Sequence, residues 1–266
     1  MGQFEIDTAV QRLTDNIYRG EVVAGWRVGQ VPNGGYMMAI AGRALSQALP
    51  HPDPLTVNAF FLAPCAVGPV ECRIDVLRQG GSTSFAEVGM YQDGELKVKL
   101  TAAYTDLDRL SGEDWTDVEP PDCPPWDECE PSPQKGLEFR ERAVLRLATG
   151  REVFTERRAD GSGEFVGRVT HGDGGDADPI SLLMFADSMP PPIFNVLGPV
   201  GWVPTVELTV QVRARPAPGP LLARVKAGSL TRGVVEEDGE FWDSRGQLVA
   251  ICRQTAKVRL PKPKGD

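Results

Sequence analysis

Histidine is almost missing: His51 and His171 are the only two in 266 residues, and both fall in sequence that reads as loop. This scarcity argues against enzymes that use an imidazole base, and no G-x-S-x-G elbow occurs to indicate a serine hydrolase. Cysteine offers no metal site. The five cysteines, at 65, 72, 123, 129 and 252, form no C-x-x-C pair and have no histidine at zinc spacing. They read as free thiols, Cys123 and Cys129 would need metal ligands from elsewhere in the chain, and neither a metal nor another cofactor is expected. No apolar run approaches the roughly 20 residues that span a bilayer, so no membrane partner is expected. The start, MGQFEIDTAV, lacks the basic and apolar regions of a secretory leader, and a cytoplasmic location is the default expectation. Positive charge is in deficit, with 28 Lys and Arg against 37 Asp and Glu and a formal charge of −9. That balance disfavours nucleic acid and anionic membranes, which are bound mainly by neutralising phosphates. A small anionic ligand needs only a local basic cluster or a helix N-terminus.

What is present is a globular composition, with 41% hydrophobic and 24% charged residues, in a chain long enough for one large or two ordinary domains. Residues 34–49, GGYMMAIAGRALSQAL, are apolar on most faces, which predicts a helix buried nearly all round, opened by Gly34 and Gly35 and closed by Pro50. A strand is predicted before it within 17–28. Four more follow within 56–63, 69–79, 82–92 and 95–107, separated by Gly-Pro, Gly-Gly and Asp-Gly turn signals. The second half repeats the order, with a strand at 164–171, a helix at about 179–189, and strands within 203–213, 220–230, 233–243 and 247–260.

The repetition extends to individual residues. Thr56-Val57 matches Thr205-Val206 at an offset of 149, Gly68-Pro69 matches Gly219-Pro220 at 151, and Tyr91 matches Trp242 at 151. Asp93-Gly94-Glu95-Leu96 matches Arg245-Gly246-Gln247-Leu248 at 152. A drift of only three residues over four strands indicates a fused duplicate. Duplication has a physical motive, because a single helix-wrapping sheet leaves an edge unpaired and two copies joined edge to edge do not. The expected division is an N-terminal unit at 1–112, a Pro-rich acidic linker at 113–136 and a C-terminal unit at 137–266. Residues 113–133 contain six prolines among many acids and suit neither helix nor central strand, although Trp115 and Trp126 suggest local packing. Residues 137–149 read as an extra strand, and the Gly- and Asp-rich 156–178 as a mobile loop.

The segments VPNGGYMMAIAGRAL and TVNAFFLAPCAVGPV in the first half resemble the N-terminal part of bacterial acyl-CoA thioesterases of the thioesterase II class. SLLMFADSMPPP, VPTVELTVQVRARPAPG and EEDGEFWDSRGQLVAICRQTAKV resemble their C-terminal part. The resemblance covers nearly the whole chain. It implies an α+β double hot-dog fold, two tandem hot-dog units each with a long helix wrapped by an antiparallel sheet. It also implies an acyl-CoA substrate and a water oriented by an Asp on the second helix, a Thr at the next strand and a Gln on the last strand. The matching residues are Asp187, Thr205 and Gln254. One departure stands out: Glu207 and Leu208 occupy positions where well-known members carry an Asp-His pair.

These residue types suit thioester hydrolysis. A thioester is a good electrophile with a good leaving group, so a carboxylate base, a held water and an oxyanion stabiliser suffice. Each residue also has a plainer reading: Asp187 as a helix terminator, Thr205 as an ordinary strand residue, Gln254 as a buried polar group bonded to backbone. The repeat makes the arrangement asymmetric, since Gln254 corresponds to Ala102 and the first helix has no acid. The segment Asn33-Gly34-Gly35-Tyr36 is the second candidate element, because glycines at a helix start expose N–H groups and set the positive helix end near a thioester oxygen. Its plainer reading is that the glycines let the helix pass close to the sheet. Arg78, Arg213, Arg215, Arg224 and Arg232 are candidates for the phosphates of coenzyme A. Self-association into a dimer or larger assembly is expected. A non-catalytic acyl-thioester binder, or a hot-dog hydratase or dehydratase, remain alternatives that fold alone does not exclude.

Overall fold

Alternation of inward apolar and outward polar residues builds most of the chain into antiparallel strands. In the strand Gly68–Gln79, Val70, Cys72 and Ile74 are buried while Pro69, Arg73 and Asp75 face out. A computed structural model describes residues 1–134, 136–199 and 201–260. The main strands are β1 (Ile17–Val22), β2 (Asp53–Phe61), β3 (Gly68–Gln79), β4 (Thr83–Gln92) and β5 (Glu95–Thr105), then β6 (Ala143–Leu147), β7 (Glu164–His171), β8 (Thr205–Val212), β9 (Leu221–Thr231), β10 (Val234–Trp242) and β11 (Leu248–Lys257). With two-residue strands at either rim, Gln11–Arg12 and Glu130–Pro131, they form one 13-stranded sheet in the order β1-β3-β4-β5-β2-β8-β11-β10-β9-β7-β6. From β1 inward the order is β1, β3, β4, β5, β2, and from β7 inward it is β7, β9, β10, β11, β8. The halves meet where β2 pairs with β8, Val57 opposite Val210.

Two helices lie against this sheet: α1 (Gly34–Ala48) and α2 (Pro179–Phe185). Asn33 caps α1 by accepting the Tyr36 N–H at 2.9 Å. Asp178 caps α2, accepting the Ser181 N–H at 2.6 Å, with Pro179 at the first helical position. Met38, Ile40, Leu45, Leu182 and Phe185 are fully buried in the main core. The helices meet through Gly35 and Gly42, seven residues apart on one face of α1. A Cβ at Gly35 would stand 2.7 Å from the carbonyl oxygens of Leu183 and Met184, and one at Gly42 would stand 3.0 Å from Leu183 Cδ1. Close approach of helix to helix, rather than helix to sheet, therefore requires Gly35.

Several sequence expectations need correction. Helix α2 stops at Phe185 with Ala186 as its C-cap, short of residue 189, because Pro190 follows the Asp187-Ser188-Met189 turn and Ser188 Oγ bonds back to the Phe185 carbonyl at 2.7 Å. The segment 156–178 is not one mobile loop: its middle is β7, held between β6 and β9. Within 137–149 a one-turn helix, Phe139–Arg142, precedes β6. Both histidines are buried, His51 in the connection between α1 and β2 as expected, His171 in a strand rather than a loop. His171 ends β7 between the rings of Phe4 and Phe185, each 4.8 Å away, and its Nε2 meets Ser181 Oγ at 2.9 Å. His51 Nδ1 meets Ser84 Oγ at 2.8 Å. In the proline-rich connection Trp126 packs under the Arg146 guanidinium at 4.9 Å, whereas Trp115 is exposed. Among the described residues no helix is long and apolar enough to cross a membrane, and no cluster of His, Cys, Asp and Glu suits a metal.

Candidate active site

Asp187 follows α2 directly, and the turn after Phe185 delivers its carboxylate to the N-terminus of α1 in the other half of the chain. The Gly35 N–H donates to Asp187 Oδ2 at 3.1 Å. Asn33 Nδ2 donates to the same oxygen at 2.8 Å and to the Asp187 carbonyl at 2.8 Å. Asn33 thus caps α1 with its oxygen and holds Asp187 with its nitrogen. The positive end of a 15-residue helix faces a carboxylate, an arrangement that favours its charge. Burial works the other way and dominates, so that the Asp187 carboxyl is pushed up to about 6 although the amides of Gly35 and Gly34 and the Asn33 side chain favour the ionised form. That value is suited to a base working near neutrality.

Across a narrow gap lie β8, β11 and β10. An irregularity between Thr205 and Glu207 shifts the pairing of β8 with β11. The Thr205 hydroxyl donates to Gln254 Oε1 at 3.2 Å. Gln254 Nε2 donates to Glu237 Oε2, on the residue directly opposite in β10. Glu237 is only 3% exposed, and its Oε1 makes no hydrogen bond to the protein. Burial first, and then the negative charges of Asp187 and Glu236, push its carboxyl up to about 7 although the Gln254 amide and the Ile193 backbone N–H favour the ionised form. A cavity of about 20 Å³, enough for one water molecule, is lined by Asp187, Glu237, Gln254, Ala186, Met189 and Val225 among others. Sequence reasoning missed Glu237. The signal was present, since Val235, Glu237, Gly239 and Phe241 are the inward set of β10 and an acid in such a set is unusual.

The sequence model of the acyl-CoA thioesterase C-terminal domain matches residues 120–258, and that of the N-terminal domain matches residues 22–105. The chain belongs to the acyl-CoA thioesterase family. A solved structure from Thermobifida fusca, described as that of a proposed thioesterase II, is 30% identical with a TM-score of 0.89 and covers 97% of this chain and 98% of its own. A hot-dog protein of unknown function from Alicyclobacillus acidocaldarius shares the fold at 24% identity, with a TM-score of 0.88 and coverage of 98% and 99%. An uncharacterised protein of Mycobacterium tuberculosis is 25% identical over 265 residues, 91% of each chain.

Within this thioesterase-family chain, the cavity holds Asp187 and Gln254, and Thr205 bonds to Gln254. The segment 33–36 divides. Asn33 and Gly35 bind Asp187, while the Tyr36 N–H is taken by the Asn33 cap, which removes it as an oxyanion donor, and the Gly35 N–H is directed to the carboxylate. The Tyr36 ring is buried against Trp26 at 5.0 Å, and its hydroxyl reaches the carbonyls of Asp7 and Glu21 at 2.8 and 3.0 Å. The basic candidates are partly committed elsewhere. Arg215 pairs with Asp53 at 2.9 Å, Arg224 bonds Glu240 at 2.6 Å and stacks over Trp242, and Arg213 bonds Gln211. Arg232 sits in a turn at φ 52°, and Arg78 on β3 is exposed. Glu207, at the departure noted in sequence, bonds Asn58 and takes the Thr209 hydroxyl at 2.6 Å, tying β8 to β2 outside the cavity. Replacing Asn33 with alanine removes a cap and both Asp187 tethers. The expected loss is about 1–2 kcal/mol of unfolding free energy, together with a fall in turnover. Denaturant unfolding beside kinetics checks this, and an unchanged midpoint refutes it.

Proposed function

We propose that the chain hydrolyses acyl-CoA thioesters to the free acid and coenzyme A, using two tandem hot-dog units divided at 1–112, 113–136 and 137–266. The observation that carries the reading is Asp187, raised toward neutrality and held by the α1 N-terminus beside a cavity the size of one water. Asp187 takes a proton from that water while its oxygen attacks the thioester carbonyl. The C–O bond forms, the tetrahedral intermediate collapses, and the C–S bond breaks to release the CoA thiolate. Thr205 and Gln254 fix the water against Asp187, whose carboxylate the amides at the start of α1 hold in place. Holding reactants in place accounts for much of the acceleration in such a site. Cytoplasmic operation in lipid metabolism and association of chains belong to the same reading. Neither histidine lines the Asp187 cavity, so no observation favours the hydratase alternative.

A panel of acyl-CoAs varied in chain length and branching, read out with a thiol-reactive dye, tests the activity. Release of CoA is expected, with an acid limb. A base must be ionised, so kcat/KM should fall about tenfold per pH unit below the Asp187 pKa, near 6. Absence of CoA release across the panel, with acyl-CoA still bound, would favour a non-catalytic binding role.

A further inference from the structure

The buried acid Glu237 has no part in the reading above. Its surroundings are unusual for a carboxylate. One oxygen accepts from Gln254 Nε2 and the other has no protein partner while it is buried. Asp187 supplies a like charge in the same cavity, and Cys252 on β11, also facing it, is kept a neutral thiol by burial. From β9 the residues at its side are the uncharged Val225 and Ala227. The flanking acids, Glu236 and Asp238, are paired with the exposed Arg253 at 3.3 and 2.6 Å, so that cation does not compensate Glu237. A buried carboxylate oxygen without a donor is costly, whereas a carboxylic acid accepts from Gln254 through its carbonyl and keeps an O–H free.

We propose that Glu237 is a further catalytic residue for hydrolysis and works in its neutral form, fixing the Gln254 amide and donating its free O–H to the water that Asp187 activates. The hydrogen bonds then run in one direction: Thr205 O–H to Gln254 Oε1, Gln254 N–H to Glu237, Glu237 O–H to the water, and water to Asp187. In this orientation the Gln254 amide accepts from the Thr205 hydroxyl and donates toward Glu237. The water accepts from Glu237 and donates to Asp187, which orients its remaining lone pair for attack. The raised proton affinities agree in order, Asp187 ionising first at about 6 and its charge helping to hold the Glu237 proton to about 7. No group is consumed, because Glu237 keeps its proton throughout and the water proton passes to Asp187.

The proposal rests on the thioesterase reading, and the test separates the two. kcat/KM is measured against pH for the unaltered protein, Glu237→Gln and Glu237→Leu, and the Glu237 carboxyl is titrated by carbon NMR in protein without substrate. The unaltered protein should show an alkaline decline as Glu237 ionises. Glu237→Gln keeps an acceptor for Gln254 and a donor for the water but cannot ionise, so it should lose that decline and exceed Glu237→Leu by about tenfold or more. The NMR signal should titrate near neutrality and move lower in Asp187→Asn, where the neighbouring charge is gone. An alkaline limb unchanged in Glu237→Gln, full activity in Glu237→Leu, or titration in the ordinary carboxylate range would each overturn the proposal. If no variant releases CoA, the thioesterase reading fails, and the NMR titration still decides whether Glu237 is neutral.

Discussion

Asp187→Asn is expected to lose about 100-fold or more in kcat, the usual scale for removing a general base, while acyl-CoA affinity changes little. Asparagine matches aspartate in shape and still accepts from Asn33 and Gly35 through its oxygen, so the link between α1 and α2 survives. What disappears is the capacity to take a proton from water. Stability should move differently from activity. The folded-state pKa of Asp187, at about 6, lies above its unfolded value, so folding favours the protonated form. Its ionisation therefore destabilises the fold above pH 6, and that penalty fades as pH falls toward the unfolded value. Asp187→Asn should accordingly unfold at least as high as the unaltered protein at pH 8, with the difference shrinking toward pH 4. Near-normal turnover in this variant would place the base elsewhere. A large drop in thermal midpoint at pH 8 would instead show that the carboxylate is needed for structure.

Gly35→Ala is expected to weaken folding strongly, because it strikes the contact between α1 and α2. The added carbon would lie 2.7 Å from two backbone carbonyl oxygens and 2.9 Å from Met184 Cα. Backbone atoms at a helix crossing cannot swing aside as a side-chain tip can, so α1 and α2 must separate. The expected cost is about 2–3 kcal/mol, or a fall of about 5–10 °C in the thermal midpoint. Separation would also draw the Gly35 N–H away from Asp187, so activity should fall with stability. Gly81→Ala is the control, because nothing lies within 4 Å of a Cβ there. A midpoint for Gly35→Ala within a degree of the control would refute the close-contact argument.

Sequence by itself determined the local architecture. Strand positions were readable because side chains alternate across a pleated sheet, and Gly-Pro, Gly-Gly and Asp-Gly turns mark where strands end. The repeat showed that the same strand order occurs twice, and the structure has that order running inward from β1 and from β7. Asp187, Thr205 and Gln254 were picked out through family resemblance, and the repeat left Asp187 and Gln254 without counterparts in the first half, whereas Thr205 matches Thr56.

Tertiary structure decided what depends on residues distant along the chain. The Gly35 and Tyr36 amides looked free for a substrate oxygen, because sequence shows a donor without showing its partner. In the fold they meet Asp187 and Asn33. The role of Gly35 in helix-to-helix approach became clear only with α2 against α1, since close contact depends on where the second backbone lies. Glu237 was hidden for a related reason: strand alternation points it inward, but its proton affinity depends on Asp187 and Gln254, brought beside it from other elements. Periodicity and turn chemistry act over a few residues and leave their marks in local sequence, whereas desolvation, charge coupling and hydrogen-bond partnership arise only when distant segments share one buried space.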